Sequence, residues 1–289
     1  MIVVGLAGWG DHDSLYAPGT SSRDKLKQYA EHFSLVEMDS AFYAVQPPER
    51  MARYAAETPD GFRFVVKAYQ GMTGHVRGRP HYASDEEMYE AFCWSLAPLH
   101  AAGKLAAALF QYPPWFDCTR ENVRMLRETK KRMGDFPCAL EFRHQSWFAP
   151  AYRDKTLSFM REEGWIHSVC DEPQAGDGSV PIVPVATNPS FTLVRMHGRN
   201  VAGWRQNGRA DWRSVRYLYD YSDQELTEWK AIVNHLQAAS SIVGVIFNNN
   251  SGGHAAGNAK TFQRLLGQPV SALPNLVASP EQLDLFDLT

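Results

Sequence analysis

The sequence predicts an α/β protein built as a single (β/α)8 TIM-type barrel. Eight short runs rich in Val, Ile, Leu, Phe and Ala recur along the 289 residues, most of them followed by a turn and a segment of helical periodicity. Glycines and capping pairs punctuate the helical segments where they should stop and start. No GxGxxG turn follows the first run, which argues against an open dinucleotide-binding sheet. One barrel of this size needs no second domain, so residues 1–268 are assigned to the barrel and 269–289 to a polar, proline-containing tail.

The expected strands are Ile2 to Gly8, Leu35 to Ser40, Phe62 to Lys67, Leu105 to Gln111, Cys138 to Arg143, Ile166 to Asp171, Thr192 to His197 and Ile242 to Asn248. All read as buried on both faces, as parallel strands under helices are. Ser22 opens a helix whose stripe is Leu26, Tyr29, Ala30 and Phe33. Ser84 with Glu87, and Ser222 with Glu225, have the spacing of capping boxes. Gly103, Gly134 and Gly164 stand where helices should end, because glycine accepts the left-handed backbone of a C-terminal cap. Two connections, Tyr69 to Ala83 and Gly198 to Tyr221, exceed simple turns and read as functional loops. The stretch from Glu172 to Pro189 receives no assignment.

Composition bounds the function. Apolar residues make up 44% and charged residues 21%, ordinary values for a protein with a large core. With 29 Lys plus Arg against 32 Asp plus Glu the formal charge is −3, so no global field draws the chain to nucleic acid and any basic site must be local. Cys93, Cys118, Cys138 and Cys170 show neither CxxC pairing nor the density of a disulfide scaffold, which suits buried thiols in a reducing compartment. Met1 to Gly8 lacks the pattern of a signal peptide and no stretch approaches a membrane span, so the expected location is the cytoplasm.

Nearly every expected strand turns polar at its carboxyl end, and in a barrel those ends share one face, where barrel enzymes place their chemistry. Glu37 with Asp39, Glu141 with Arg143, and Arg195 with His197 are two apart and therefore point to one side. The candidate catalytic set is Glu37, Asp39, Lys67, Glu141, Arg143, Asp171 and His197, and the candidate ligand-binding set is Trp9, Tyr43, His75, Gln111, His144, Arg195, Arg199, Trp204, Asn248, Asn249 and Asn258. Glu141 reads as a general acid or base held by Arg143, or as half of a structural ion pair. Lys67 reads as a phosphate clamp or, if desolvated, a Schiff-base lysine. The carboxylates and histidines are the right types for a divalent metal, yet no metal-motif spacing joins them and three cations compete for the same carboxylates, so the cofactor is left open.

The loop after the seventh strand sets Arg199, Arg205, Arg209, Arg213 and Arg216 among Trp204, Trp212, Tyr217 and Tyr219, a composition suited to stacked bases or a phosphosugar. Arg77 and Arg79, with His75 and His81, offer a second positive wall. Arg124, Arg127, Lys130 and Lys131 read as an exposed helix face.

Several ordered phrases resemble the YecE-like family, also called domain of unknown function 72: Gly8-Trp9, Val36-Glu37 with Phe42-Tyr43, Phe110-Gln111 with Pro113-Pro114, Glu141-Phe142-Arg143-His144 with Ser146-Trp147, His197-Gly198-Arg199, Phe247-Asn248-Asn249 and Asn258-Ala259. The resemblance runs to about Leu266 and implies a TIM-type barrel. Asp39 stands where the family more often has Asn, Ala41 where it has Thr, and the Gly10 to Asp13 turn differs. In the tail, Gln282, Leu283, Asp284, Leu285 and Phe286 resemble the motif by which bacterial replication and repair proteins bind the sliding clamp. Leu283, Leu285 and Phe286 suit an apolar groove and the Gln282 amide its edge, with the same residues docking on their own barrel as the alternative.

These readings predict an anionic substrate, with DNA as the leading case, a sliding clamp as partner, and no membrane. The leading function is DNA metabolism, as a phosphodiester hydrolase recruited by the clamp. A phosphosugar or carboxylate isomerase, aldolase or lyase, and a non-catalytic clamp-associated or nucleic-acid-binding module, stand as alternatives.

Overall fold

The computed structural model describes residues 1–76, 81–204 and 215–274. Eight parallel strands close in sequence order, β1 Ile2–Ala7, β2 Leu35–Met38, β3 Arg63–Lys67, β4 Leu105–Gln111, β5 Cys138–Glu141, β6 Ile166–Asp171, β7 Phe191–Met196 and β8 Ile242–Phe247, with β8 pairing back to β1. The predicted (β/α)8 architecture is therefore the one found. Several strands stop one or two residues short of the polar ends that the sequence suggests, because the ladder reduces there to single bonds. Gly8 N–H donates to Glu37 O, Tyr112 N–H to Glu141 O, His197 N–H to Asp171 O and Asn248 N–H to Met196 O.

Around the barrel lie α1 Lys25–His32, α2 Ser40–Tyr43, α3 Pro48–Glu57, α4 Asp85–Ala101, α5 Arg120–Met133, α6 Arg153–Glu162, α7 Val201–Trp204, α8 Asp223–Gln237 and α9 His254–Leu265. Helix α8 carries the complete capping box: Ser222 Oγ accepts from Glu225 N–H, and the Glu225 carboxylate accepts from Ser222 N–H. At α4 the Ser84 half forms, but Glu87 accepts from Ala83 N–H instead, so the box is displaced by one residue. Helix α1 starts at Lys25 rather than Ser22. The expected glycine stops are present, with φ of 66° at Gly103, 55° at Gly134 and 70° at Gly164.

Strand alternation separates two cores. Val3, Leu35, Val65, Leu109, Ala139, Ile166, Leu193 and Ile246 fill the barrel. Their neighbours Leu6, Val36, Phe64, Phe110, Leu140, Val194 and Val245 pack outward in the larger core. No helix follows β6. The connection from Glu172 to Pro189 is irregular and is pinned instead by polar contacts, with Thr187 Oγ1 donating to Trp165 O and accepting from His167 N–H. The chain after α9 is also fixed: Gln268 donates to Ile2 O, Ser271 to Glu31 O, and the buried Lys260 ammonium to Ser271 O.

One glycine is required by the closure. Gly5 faces Leu35 of β2 and Ile246 of β8, and a Cβ there would lie 2.0 Å from the Leu35 carbonyl oxygen. Because the obstructing atom is backbone, strand β2 itself must move. Gly5→Ala is expected to lower the urea-unfolding stability by about 2 kcal/mol or more, and an unchanged midpoint would show that β2 yields at that point.

Candidate functional site

At the carboxyl ends of the strands, inward-facing charges form one continuous alternating chain. Arg195 from β7 donates Nε and a terminal nitrogen to both oxygens of Glu37 on β2, at 2.8 and 2.5 Å. Its other terminal nitrogen reaches Glu141 on β5 at 2.7 Å. Arg143, two residues beyond Glu141, donates Nε to that carboxylate at 2.6 Å and a terminal nitrogen to Glu172 at 2.7 Å. Glu172 also accepts the Val180 N–H, and Glu141 the Ser168 hydroxyl. The order is Glu37, Arg195, Glu141, Arg143, Glu172. All five are buried.

Three carboxylates against two guanidinium groups give this chain a formal charge of −1. Burial alone would raise the Glu141 carboxyl, but Arg143 and Arg195 outweigh it and hold the group well below the usual carboxylate range. Glu141 is therefore ionised with both oxygens occupied, which removes it as a general acid. Burial raises Glu172 to about 7 against the pull of Arg143. His197 is also fully buried, and burial together with the two arginines pushes its pKa well below the ordinary value. Its Nε2 lies 3.0 Å from an Arg143 nitrogen that has only protons to offer, so Nε2 accepts and the ring proton sits on Nδ1. Asn248 Nδ2 lies 2.9 Å from Nδ1, and turning the amide over brings its oxygen to that place to accept the proton.

Above this layer, on the side of β2, β3 and β4, is a less buried rim. Lys67 Nζ stands 3.4 Å from Asp39 Oδ1 and 4.8 Å from the Phe42 ring centroid. Phe42 meets Tyr43 and His75 edge-on, and His75 meets Trp115. Tyr43 is 53% exposed and Trp115 58%, unusual values for large rings at a barrel mouth. Burial, helped by Lys67 and Arg143, lowers His75 to about 4, which leaves it neutral at ordinary pH. Gln111, in register with Glu141, is half-buried beside them.

On the β7 side Trp204 of α7 covers the network, with Arg143 5.5 Å and Arg216 3.7 Å from its ring. Trp204 is itself buried.

A family model described as Protein of unknown function DUF72 matches residues 3–283. This chain belongs to the DUF72 family. UPF0759 protein YunF of Bacillus subtilis (strain 168) is 56% identical over 287 residues, covering 99% of this chain and 100% of that protein. UPF0759 protein YecE of Escherichia coli (strain K12) is 29% identical over 247 residues, covering 79% and 82%. A crystal structure of a DUF72 family protein from Enterococcus faecalis V583 aligns at a TM-score of 0.88 with 42% identity, over 98% of this chain and 100% of that one.

The DUF72 barrel brings Glu37, Glu141, Arg143, Arg195, His197 and Asn248 together in the mouth, and Asp39, Lys67, Tyr43, His75 and Gln111 at or near its rim. Other residues singled out in the sequence lie elsewhere. Asp171 leaves β6 on the outer face, where Arg199 Nε reaches both its oxygens at 3.0 Å and Trp229 of α8 donates to one. Arg199 further pairs with Glu225. Asn249 and Asn258 bond to each other and hold the segment Tyr219 to Tyr221. His144 accepts within its own turn from Ser146, and Trp9 packs edge-on against Tyr54. Arg77, Arg79, Arg205, Arg209, Trp212, Arg213 and the tail residues Gln282, Leu283, Leu285 and Phe286 lie outside the described residues.

Glu172, Ser168, Cys170 and Trp115 join the site beyond the residues that the sequence singles out. The period-two rule reaches the first three, since Ile166, Ser168, Cys170 and Glu172 share the inward parity. Glu141, Cys170 and His197 place possible ligand atoms within 4.8 Å of one another. The guanidinium nitrogens already 2.6 and 2.7 Å from Glu141 occupy the space around its oxygens and would repel a cation, so the trio does not fit a metal without displacing them.

Glu141→Gln would leave two buried guanidinium groups short of a negative partner. A loss of about 3 to 5 kcal/mol in denaturant unfolding is expected, and a loss under about 1 kcal/mol would mean that the network relaxes around the change.

The buried His167 supplies a pH signature. Burial lowers its pKa to about 4, while its Nδ1 proton is held by Val185 O. Because the folded value lies below the unfolded 6.5, the unfolded chain takes up the proton first. This contribution is complete above pH 6.5 and is lost as pH falls toward 4, by roughly 3 kcal/mol. Relative to wild type, His167→Gln should therefore show a flatter decline of urea-unfolding stability over that interval. Parallel pH profiles would refute the assignment.

Proposed function

We propose that this barrel acts in DNA metabolism, binding a single-stranded phosphodiester segment across the rim of its mouth. The observation that carries the reading is the exposed pair Tyr43 and Trp115, joined through Phe42 and His75, with the Lys67 ammonium over Phe42. Rings of this kind stack on bases irrespective of sequence, and a neighbouring ammonium holds the phosphate between them. The contact groups differ from those expected from sequence: Arg195 and Arg199 are committed to carboxylates, and Trp204 is covered by Arg216, so the rim takes over both tasks.

The same geometry weighs against a phosphosugar or carboxylate isomerase or lyase. Such chemistry asks for cations at the depth of the pocket, where the guanidinium groups are spent and the network carries a formal −1. For phosphodiester hydrolysis, Lys67 would hold the phosphate and neutral His75 would take the proton of the attacking water; as the water oxygen bonds to phosphorus one P–O bond to a sugar breaks, and the departing sugar oxygen takes its proton from the acidic imidazolium or from solvent. Recruitment falls to the tail, whose Gln282 to Phe286 phrase suits a clamp groove. Tethering would raise the local concentration of a net acidic protein at DNA.

With a fluorescently labelled thymidine oligonucleotide, Trp115→Ala and Lys67→Met should each weaken binding about tenfold or more in anisotropy titrations. Unchanged affinity in both variants would remove the rim from the reading. Separately, truncation before Gln282 should abolish micromolar binding to the organism's own sliding clamp; if the intact chain fails to bind, the recruitment part fails. Nicked, abasic and flapped duplexes, each with and without divalent metals, are the substrates on which hydrolysis would be read.

A further inference from the structure

The opposite end of the barrel holds a second concave site, remote from the mouth. A cavity of about 490 Å³ opens where β3, β4, β6, β7 and β8 begin, walled by apolar side chains that include Leu105, Ile166, Phe191 and Ile242. Two cations, Arg63 and Lys130, line it. Arg63 is the first residue of β3 and shares the inward parity of Val65 and Lys67, so its side chain enters the barrel floor. Its Nε is buried and finds no hydrogen-bond partner among the described residues.

A buried guanidinium N–H without an acceptor is costly, because desolvation is not offset by a new bond. Nearby helix ends do not relieve it. At the end of α5 the carbonyls of Lys131 and Met133 accept from Gly134 and Phe136 N–H, and at the end of α6 those of Met160 and Arg161 accept from Trp165 and Gly164 N–H. The one carboxylate lining the cavity, Asp135, is exposed and forms no ion pair with either cation among the described residues. The geometry points to a binding site for a small organic anion, its charged head between Arg63 and Lys130 and its apolar body on the barrel floor. The lining combines apolar walls with polar groups, Arg63, Lys130, Asn188 and Ser190 among them, and a concave site of that mixed character is the general form of a small-molecule site. Placed at the strand amino ends, it would serve an effector rather than a reactant, since barrel chemistry sits at the other face.

Benzoate and phenyl phosphate share the required chemistry and differ only in the head. Each would be titrated into the full-length protein, with amide signals followed by nuclear magnetic resonance. Saturable shifts centred on Gly134, Asp135, Asn188 and Ser190 are expected with one or both. Arg63→Met and Lys130→Met should each weaken binding about tenfold, as loss of a charge-assisted contact does, whereas Lys67→Met at the mouth should leave it unchanged. Asp135→Asn, a surface change that spares the fold, should tighten binding by removing the only carboxylate of the cavity lining among the described residues. No saturable shift at these residues, or affinity unaltered in both Lys130→Met and Asp135→Asn, would overturn the proposal.

Discussion

Glu141 is the residue on which the barrel mouth turns. It lies between Arg143 and Arg195, and through them it joins Glu37 and Glu172, so one carboxylate links β2, β5, β7 and the segment leaving β6. Buried ion pairs are poor evidence of net stability, since desolvation consumes most of the attraction. Their strength here is as a constraint on pairing. A one-residue slip of β5 or β7 would turn Glu141 or Arg195 outward and strand its partners without counter-charges. The alternating chain therefore selects one closure of the barrel among those that hydrophobic filling alone would permit.

That constraint also limits the chemistry. A guanidinium that saturates two carboxylates has little left for a substrate, and a carboxylate with both oxygens engaged has no proton to give. His197, faced by arginine N–H, is fixed as a neutral acceptor. What the inner layer contributes to ligand binding is a rigid, mildly negative floor. Contact with a ligand passes to groups one step higher, where Lys67, Phe42, His75, Tyr43 and Trp115 are held by packing yet partly open to water.

Much of this was legible in the sequence because two periodicities suffice for it. Apolar runs separated by capped helical segments identify the barrel, and the i, i+2 rule unites Glu141 with Arg143 and Arg195 with His197 on its inner side. The same rule separates Asp171 from the mouth residues. It is charged and ends a strand, but it has the opposite parity to Ser168 and Cys170, and it faces Trp229 rather than Glu141. Glu172, one residue on, has the inward parity but is not legible as a site residue, because the stretch that it opens carries no helical or strand period. Irregular backbone held by Thr187 and Val185 leaves no pattern to read. Trp115 follows two prolines in a turn, where exposure depends on the tertiary path and not on spacing. Which donors remain available could not be read either, because whether Arg195 meets a ligand or Glu37 is decided across 158 residues of chain.

The bonds from Gln268 to Ile2 and from Ser271 to Glu31 have a further consequence for orientation. Ile2 begins β1 and Glu31 lies in the last turn of α1, so both anchors belong to the underside of the barrel. Residue 274 thus lies toward the pole opposite the mouth. The mouth and the point where the described chain ends are therefore at opposite poles, so the two can be engaged without competing for the same surface.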